Sequence, residues 1–185
     1  MSRPPQAATP NVRVRRTRAL LREALVELIE ERGFERVTVG DLTTRAMVSR
    51  AAFYRNYRDK YALVEQIFDE AMAEMTADDA DERTPGERWA GFFRHIDAYH
   101  RLYRALLGRK GSPWFADRMR TSLAAMTTTG HFPGHTADDL VPTVLAGMFV
   151  QSVVWWLEQD RPCPPEEIAA RSARLIRAVI ESTAD

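Results

Sequence analysis

The chain has 185 residues, enough for one or two domains with a sizeable apolar core. Its single cysteine, Cys163, excludes an intrachain disulfide and a metal centre of several thiolates, and it favours a reducing, cytoplasmic setting. The 26 basic and 26 acidic residues cancel, but thirteen basic against seven acidic fall in residues 1–60 and thirteen against nineteen in 61–185, so the front end suits a polyanion.

Residues 1–12, MSRPPQAATPNV, hold no apolar run of the kind that marks a secretory signal, and their composition predicts disorder. Arg13, Arg15, Arg16 and Arg18 follow. They read either as a solvated tail or, with residues 1–14 as a flexible arm, as a contact to phosphates or a minor groove. The first helix is expected in ALLREALVELIEERGFERVTV.

Thr38 with Asp41 three residues later is a capping-box pattern, and Val39, Leu42 and Ala46 repeat at helical spacing. Met47-Val48-Ser49 forms the turn, with Val48 as a buried pin and Ser49 as the next N-cap. In the helix that follows, Ala52, Phe53 and Tyr57 face inward, leaving Arg50, Ala51, Arg55 and part of Tyr54 outside. Asp59 caps a longer helix whose apolar face is Leu63, Val64, Ile67, Phe68, Ala71, Met72 and Met75.

Two short helices with a tight turn, then a third, are the layout of a helix-turn-helix reading head for duplex DNA. The side chains fit that task. Arg forks onto guanine O6 and N7, Asn pairs with adenine edges, and small residues such as Ala51 and Ala52 admit the helix to the groove. Tyr and Thr hydroxyls, Lys and helix N-termini suit phosphate oxygens. The bland alternative, a surface helix with solvated arginines, serves any one of these residues but not the ensemble.

On these residues the run from Arg15 to about Ala73 resembles the N-terminal domain of the tetracycline-repressor (TetR) family, in particular LTTRAMVSRAAFYRNYRDKYALVEQIFDEA. The resemblance implies that Thr38 and Tyr54 grip phosphates. It places Arg50, Ala51, Ala52, Arg55 and Asn56 on or near base edges, beside the capping Ser49. Lys60, with its helix N-terminus, would clamp the flanking backbone. Met47 stands where the family usually has Gly, and Met tolerates a left-handed backbone poorly, so a strained or differently shaped turn is expected. Thr43 stands where Ala is more common, and no base contact is expected at Gly40.

Beyond the head no strand pattern appears. The charged run 77–83 separates the fourth helix from a helix begun by Thr84-Pro85-Gly86-Glu87, a capping box with Pro in the first turn. That helix is expected to run unbroken to Leu107, with Gly108 and Gly111 ending it. Ser112-Pro113 begins another, carrying Trp114, Phe115, Met119, Leu123 and Met126, and TTTGHFPGH at 127–135 reads as a loop. Leu140 to Glu158 is a strongly apolar helix with Pro142 in its first turn. Its apolar-rich part, Val144 to Leu157, is interrupted by Gln151 and Ser152 and is short for a bilayer. After Arg161-Pro162-Cys163-Pro164-Pro165 the last helix is expected from Glu166 to about Ser182.

VVWWLEQDRPCPPEEIA is similar to the C-terminal helix pair of the same family. This implies a homodimer through a four-helix bundle, with Val154, Leu157, Ile168, Leu175, Ile176 and Val179 as interface residues. A helix apolar nearly all round, which one small domain cannot cover, fits that expectation. The expected architecture is all-α: a three-helix helix-turn-helix domain over 15–60, continuing into a connecting helix over 60–76, then a helical effector-binding and dimerisation domain over 77–185. The helices should number about nine in total.

The family's arrangement implies an effector cavity among His95, Tyr99, Trp114, Phe115, Met119, Phe149 and Trp155, with His100, Met126 and Gln151 nearby. Such a set suits an apolar or aromatic small molecule. No metal or other cofactor is expected, since His131 and His135 lack an evident third ligand. No phosphate-cradling Gly loop, zinc motif or nucleophile elbow points to an enzyme. The expected function is a DNA-binding transcriptional regulator, a repressor released from a near-palindromic operator by an effector. The alternative is a helical protein-binding adaptor that kept the fold without specific DNA reading.

Overall fold

The computed structural model describes residues 12–75, 82–130 and 139–183, and among them are nine α-helices and no strand. Helix α1 spans Val12–Arg32, so it starts earlier than expected and carries Arg13, Arg15, Arg16 and Arg18 on a helix. Nothing after Pro10 breaks a helix, and Arg and Leu are good helix formers. Residues 1–11 of the expected arm lie outside the described residues.

The buried stripe of α1, Leu21, Ala24, Leu25, Leu28 and Ile29, packs against the reading head on one side and α6 on the other. Gly33 ends α1 with φ 83, a backbone that L side chains rarely adopt, and feeds a 3-10 turn over Phe34–Arg36. Helix α2 (Val39–Arg45) begins with the expected capping box: Asp41 N donates to Thr38 Oγ1 at 3.1 Å and Thr38 N to Asp41 Oδ2 at 2.9 Å. Helix α3 (Arg50–Tyr54) is capped by Ser49, whose Oγ accepts from Ala52 N at 3.1 Å. Helix α4 (Lys60–Met75) is capped by Asp59, which accepts from Ala62 N at 2.8 Å. Phe34, Leu42, Phe53 and Leu63 are fully buried at the centre of this head. Each contributes roughly 1.5–3 kcal/mol relative to an exposed side chain.

The helix expected over 84–107 is two helices, α5 (Pro85–Ala98) and α6 (His100–Leu107), broken at Tyr99 with φ −116 and ψ 25. The break has a packing cause: α5 lies along α4 and α9, whereas α6 turns to meet α1, α7 and α8. Helix α7 (Pro113–Gly130) runs through Thr127–Gly130, which the sequence predicts as loop. Thr and Gly are weak helix formers, but neither breaks a helix already begun, and adding a residue to an existing helix is far easier than starting one. Residues 131–138, with His131 and His135, and the run 76–81 lie outside the described residues.

Helix α8 (Leu140–Glu158) and α9 (Pro165–Thr183) close the bundle. Pro142 sits in the first turn of α8, where its missing N–H costs nothing. The turn between the two helices is pinned. Trp156 Nε1 donates to Cys163 O at 2.9 Å, Arg161 to Asp97 at 2.8 Å, and Arg104 to the Leu157 carbonyl. Helix α8 has the expected bounds, and at 19 residues, by length and composition alone, it could cross a membrane, whereas its apolar-rich part was read as too short to do so. Its packing gives a different account: Leu145, Phe149, Val153 and Trp156 are buried against neighbouring helices as the core of the C-terminal bundle.

Candidate functional site

The N-terminal half of α3 stands clear of the protein. Ser49, Arg50, Ala51, Tyr54 and Arg55 are exposed, Tyr54 by 57%, while Ala52 is half-buried and Phe53 is the anchor beneath. The Tyr54 ring meets Phe53 edge-on at 5.4 Å, which aims its hydroxyl end outward from a fixed base. Thr38 is exposed at the start of α2, its hydroxyl engaged with Asp41 at 2.7 Å. That contact, with the backbone bond from Thr38 and the nearby Arg32, holds the Asp41 carboxyl below its ordinary range. Gly40 has a role that the sequence did not suggest. A Cβ there would lie 3.1 Å from a guanidinium nitrogen of Arg50, so the missing side chain leaves room for Arg50 against α2.

Two expected contacts are placed differently. The Asn56 amide is occupied within the head: Nδ2 donates to Ala52 O at 2.8 Å and Oδ1 accepts from Arg18 Nε at 3.3 Å. It closes a helix end whose carbonyls would otherwise lack donors, and it is not free to read adenine. Lys60 is buried, with 9% of its surface exposed. Its Nζ donates to Phe34 O at 2.8 Å and Glu35 O at 3.1 Å and lies 4.5 Å from the centre of the Phe34 ring. The ammonium therefore braces the 3-10 turn against α4 and does not point at a phosphate. Burial pushes its pKa down, opposed by the Glu35 charge. Met47 takes φ 52 with its side chain 90% exposed, so the turn keeps the left-handed step that Gly would make, with a residue ill suited to it.

The seven expected effector residues do not form one cavity. Phe115 and Met119 are core, Phe115 meeting Phe68 at 5.6 Å. Trp114 packs on Tyr61 at 4.8 Å and Phe34 at 6.5 Å, at the junction with the reading head. His95 and Tyr99 pair at 4.6 Å, with the Arg22 guanidinium over Tyr99 at 4.2 Å. Trp155 is on the outer surface. Of the seven, Phe149 lines a cavity of about 440 Å³ between α5, α7, α8 and α9 among the described residues, and Trp155 borders a separate, more open groove. The walls of the cavity are Met75, Trp89, Leu123, Met126, Leu145, Ala146, Phe149 and Ile176, with Arg88, Arg177 and Glu181 among its polar residues.

The expected dimer residues also separate. Leu157 is interior to the subunit, Ile168 forms only the floor of a groove, and Ile176 faces the cavity. Val154 and Val179 are half-buried, and Leu175 is 59% exposed. Leu175 and the 41% exposed Trp155 border a shallow apolar groove along the outer side of α8 and α9, with Gly147, Met148 and Gln151. Among the described residues no three His, Cys, Asp or Glu side chains cluster as metal ligands would.

Comparison with known proteins places this geometry. The family model described as bacterial regulatory proteins, tetR family, matches residues 21–67, the reading head and the start of α4. A curated relative in Bacillus subtilis (strain 168), described as the uncharacterized HTH-type transcriptional regulator YxbF, is 21% identical over 178 residues. The reading head is thus similar to that of the TetR family. The match takes in 85% of this chain and 44% of YxbF, so the chain spans less than half of that relative's length. The likeness of fold extends beyond the reading head over most of the chain. A TetR transcriptional regulator from Streptococcus agalactiae superposes with TM-score 0.60 at 20% identity, covering 89% of this chain and 95% of that one. The dihydroxyacetone kinase operon activator DhaS does so with TM-score 0.60 at 16% identity, covering 89% and 96%. A TetR-family regulator from Syntrophomonas wolfei gives TM-score 0.60 at 14% identity, covering 90% and 95%. The family is one of regulatory proteins, not of enzymes.

Proposed function

We propose that this chain is a sequence-specific DNA-binding transcriptional regulator of the TetR family that acts as a homodimer. The observation that carries the reading is the presentation of α3: a capped helix anchored by buried Phe53, with Ser49, Arg50, Ala51, Tyr54 and Arg55 outside and Thr38 beside them. Such a helix fits a major groove, and paired copies require half-sites about one turn, roughly 34–36 Å, apart or a multiple of it. The outer groove of α8 and α9 supports pairing of two copies. The operator would then be a near-palindrome.

The regulatory reading is release by a small-molecule effector, with the protein as a repressor. Helix α4 runs from Lys60 under the reading head to Met75 at the cavity, so a shift at one end alters the spacing of two heads. An effector that prefers one spacing by about 1–3 kcal/mol changes occupancy several-fold or more. The similar fold of DhaS, whose description is an operon activator, means that architecture alone does not set the sign.

The test is selection of bound sites from a random duplex library at physiological salt. The expected result is an inverted repeat. Arg50→Ala should then lose about 1–3 kcal/mol on that site and little on random DNA. Recovery of no motif overturns specific reading and favours the protein-binding adaptor.

A further inference from the structure

We infer that the cavity between α5, α7, α8 and α9 takes an amphiphilic organic anion, a monocarboxylate with an apolar or aromatic body, whose carboxylate sits on Arg177. The inference deepens the effector reading and rests on it only for the regulatory consequence, not for binding.

The volume, about 440 Å³, falls in the usual range of small-molecule sites. Its wall is apolar by construction. Trp89 meets Phe149 edge-on at 4.3 Å, and the one polar atom of Trp89, Nε1, donates to Ser172 Oγ at 3.0 Å. Ser172 in turn donates to Ala169 O at 3.0 Å, so this part of the wall offers a ligand no hydrogen-bonding group. Met75 and Met126 add polarizable, adaptable surface, which suits a flat or flexible apolar body.

Polarity enters chiefly through Arg88, Arg177 and Glu181. Arg88 is partly engaged, donating to Arg83 O at 2.6 Å. Arg177 makes no hydrogen bond or ion pair among the described residues. Arg171 pairs with Glu167 at 2.9 Å and Arg94 with Glu166 at 3.1 Å, whereas Arg174, like Arg177, makes no ion pair among the described residues; of these two, Arg177 is the one that lines the cavity. Glu181, one turn from Arg177, does not pair with it. Among the described lining residues, two guanidinium groups against one carboxylate leave a single positive charge beside an apolar cavity. A guanidinium binds a carboxylate through two parallel N–H bonds, whereas a neutral group of the same shape gains no such fork. Charge and wall together select one acid group on an apolar body.

The experiment is calorimetric titration of the full chain, without DNA, with 4-phenylbutyrate and decanoate, each against its neutral amide. An acid is expected to bind at least about tenfold more tightly than its amide. Arg177→Gln should erase that preference and leave the amide unchanged, because the residue is exposed and structurally unengaged. Ala146→Leu, which fills the cavity, should weaken acid and amide alike; its melting curve checks that it folds. Equal binding of acid and amide, an acid preference that survives Arg177→Gln, or no binding of either acid to folded protein overturns the inference. Repeating the titration with operator present separates the two readings. An acid that binds as described but leaves operator affinity unchanged refutes effector release and leaves the site standing.

Discussion

Met47 and Lys60 carry the two largest departures from ordinary residue behaviour in the reading head. Met47 holds φ 52 on an exposed turn, a conformation that costs a side chain with a Cβ about 1–2 kcal/mol, while its own side chain contacts little. Met47→Gly removes that strain at some cost in unfolded-chain entropy. The expected net gain is about 1 kcal/mol in urea denaturation, with operator affinity unchanged. A loss of stability would mean that Met47 makes contacts not seen here. Lys60 sits where the family resemblance places a phosphate clamp, yet its Nζ holds the Phe34 and Glu35 carbonyls. Lys60→Met keeps the apolar stem and deletes the donor. The two carbonyls lose their shared partner, and a loss of about 1–3 kcal/mol of stability is expected. The salt dependence of DNA binding should not change. A salt slope lower by about one would identify a phosphate contact and refute the bracing role.

Among the helices, the packing of α4 against α5 sets a pH dependence through His95 on α5. Its ring is largely buried beside Tyr99 and Tyr103, and Nε2 has no hydrogen-bond partner. Burial pushes its pKa below the usual 6.5, assisted by the Arg22 charge on α1 and opposed by Glu70 and Glu74 on α4 and by the Ile67 backbone. The unfolded chain therefore binds the proton more readily than the fold does. Stability from this group is present above about pH 6.5 and is lost as pH falls through the lower folded value. Between pH 7 and pH 5, wild type should lose more stability in denaturant titrations than His95→Phe; equal losses would exclude His95 as the titrating group. The caps of α2, α3, α4 and α5 were all legible in the sequence, because a cap is written within four residues: Thr38 with Asp41, Ser49, Asp59, Thr84 with Glu87. The break at Tyr99 was not, since neither Gly nor Pro marks it and its cause is the different partners of α5 and α6. The burial of Lys60 was hidden for the same reason, its acceptors lying 25 and 26 residues upstream. Helical spacing showed which side chains turn inward, but not that Phe149 faces an open gap while Phe115 and Met119 face a filled one.

For the whole molecule, the proposed dimer turns on the outer side of α8 and α9. One flank of each helix closes the cavity: Leu145, Ala146 and Phe149 on α8, Ala173, Ile176 and Ile180 on α9. The other flank, with Met148, Trp155 and Leu175, is apolar and turned to solvent. A five-residue reading helix gains affinity mainly by being used twice, and a two-fold contact needs one self-complementary patch. In such a contact every substitution is present in both halves. Leu175→Glu is suited to the test, because a 59% exposed side chain contributes little to the subunit's own stability, within about 0.5 kcal/mol. It places two carboxylates in an apolar contact, where unpaired charge is costly. Sedimentation should show wild type as a dimer and Leu175→Glu as a folded monomer with an unchanged helical spectrum. Operator affinity should fall by roughly a hundredfold or more while weak binding to random DNA, carried by single heads, changes little. If Leu175→Glu remains a dimer, the interface lies elsewhere, and α4 would have to relay the cavity to a pair of heads set by a different axis.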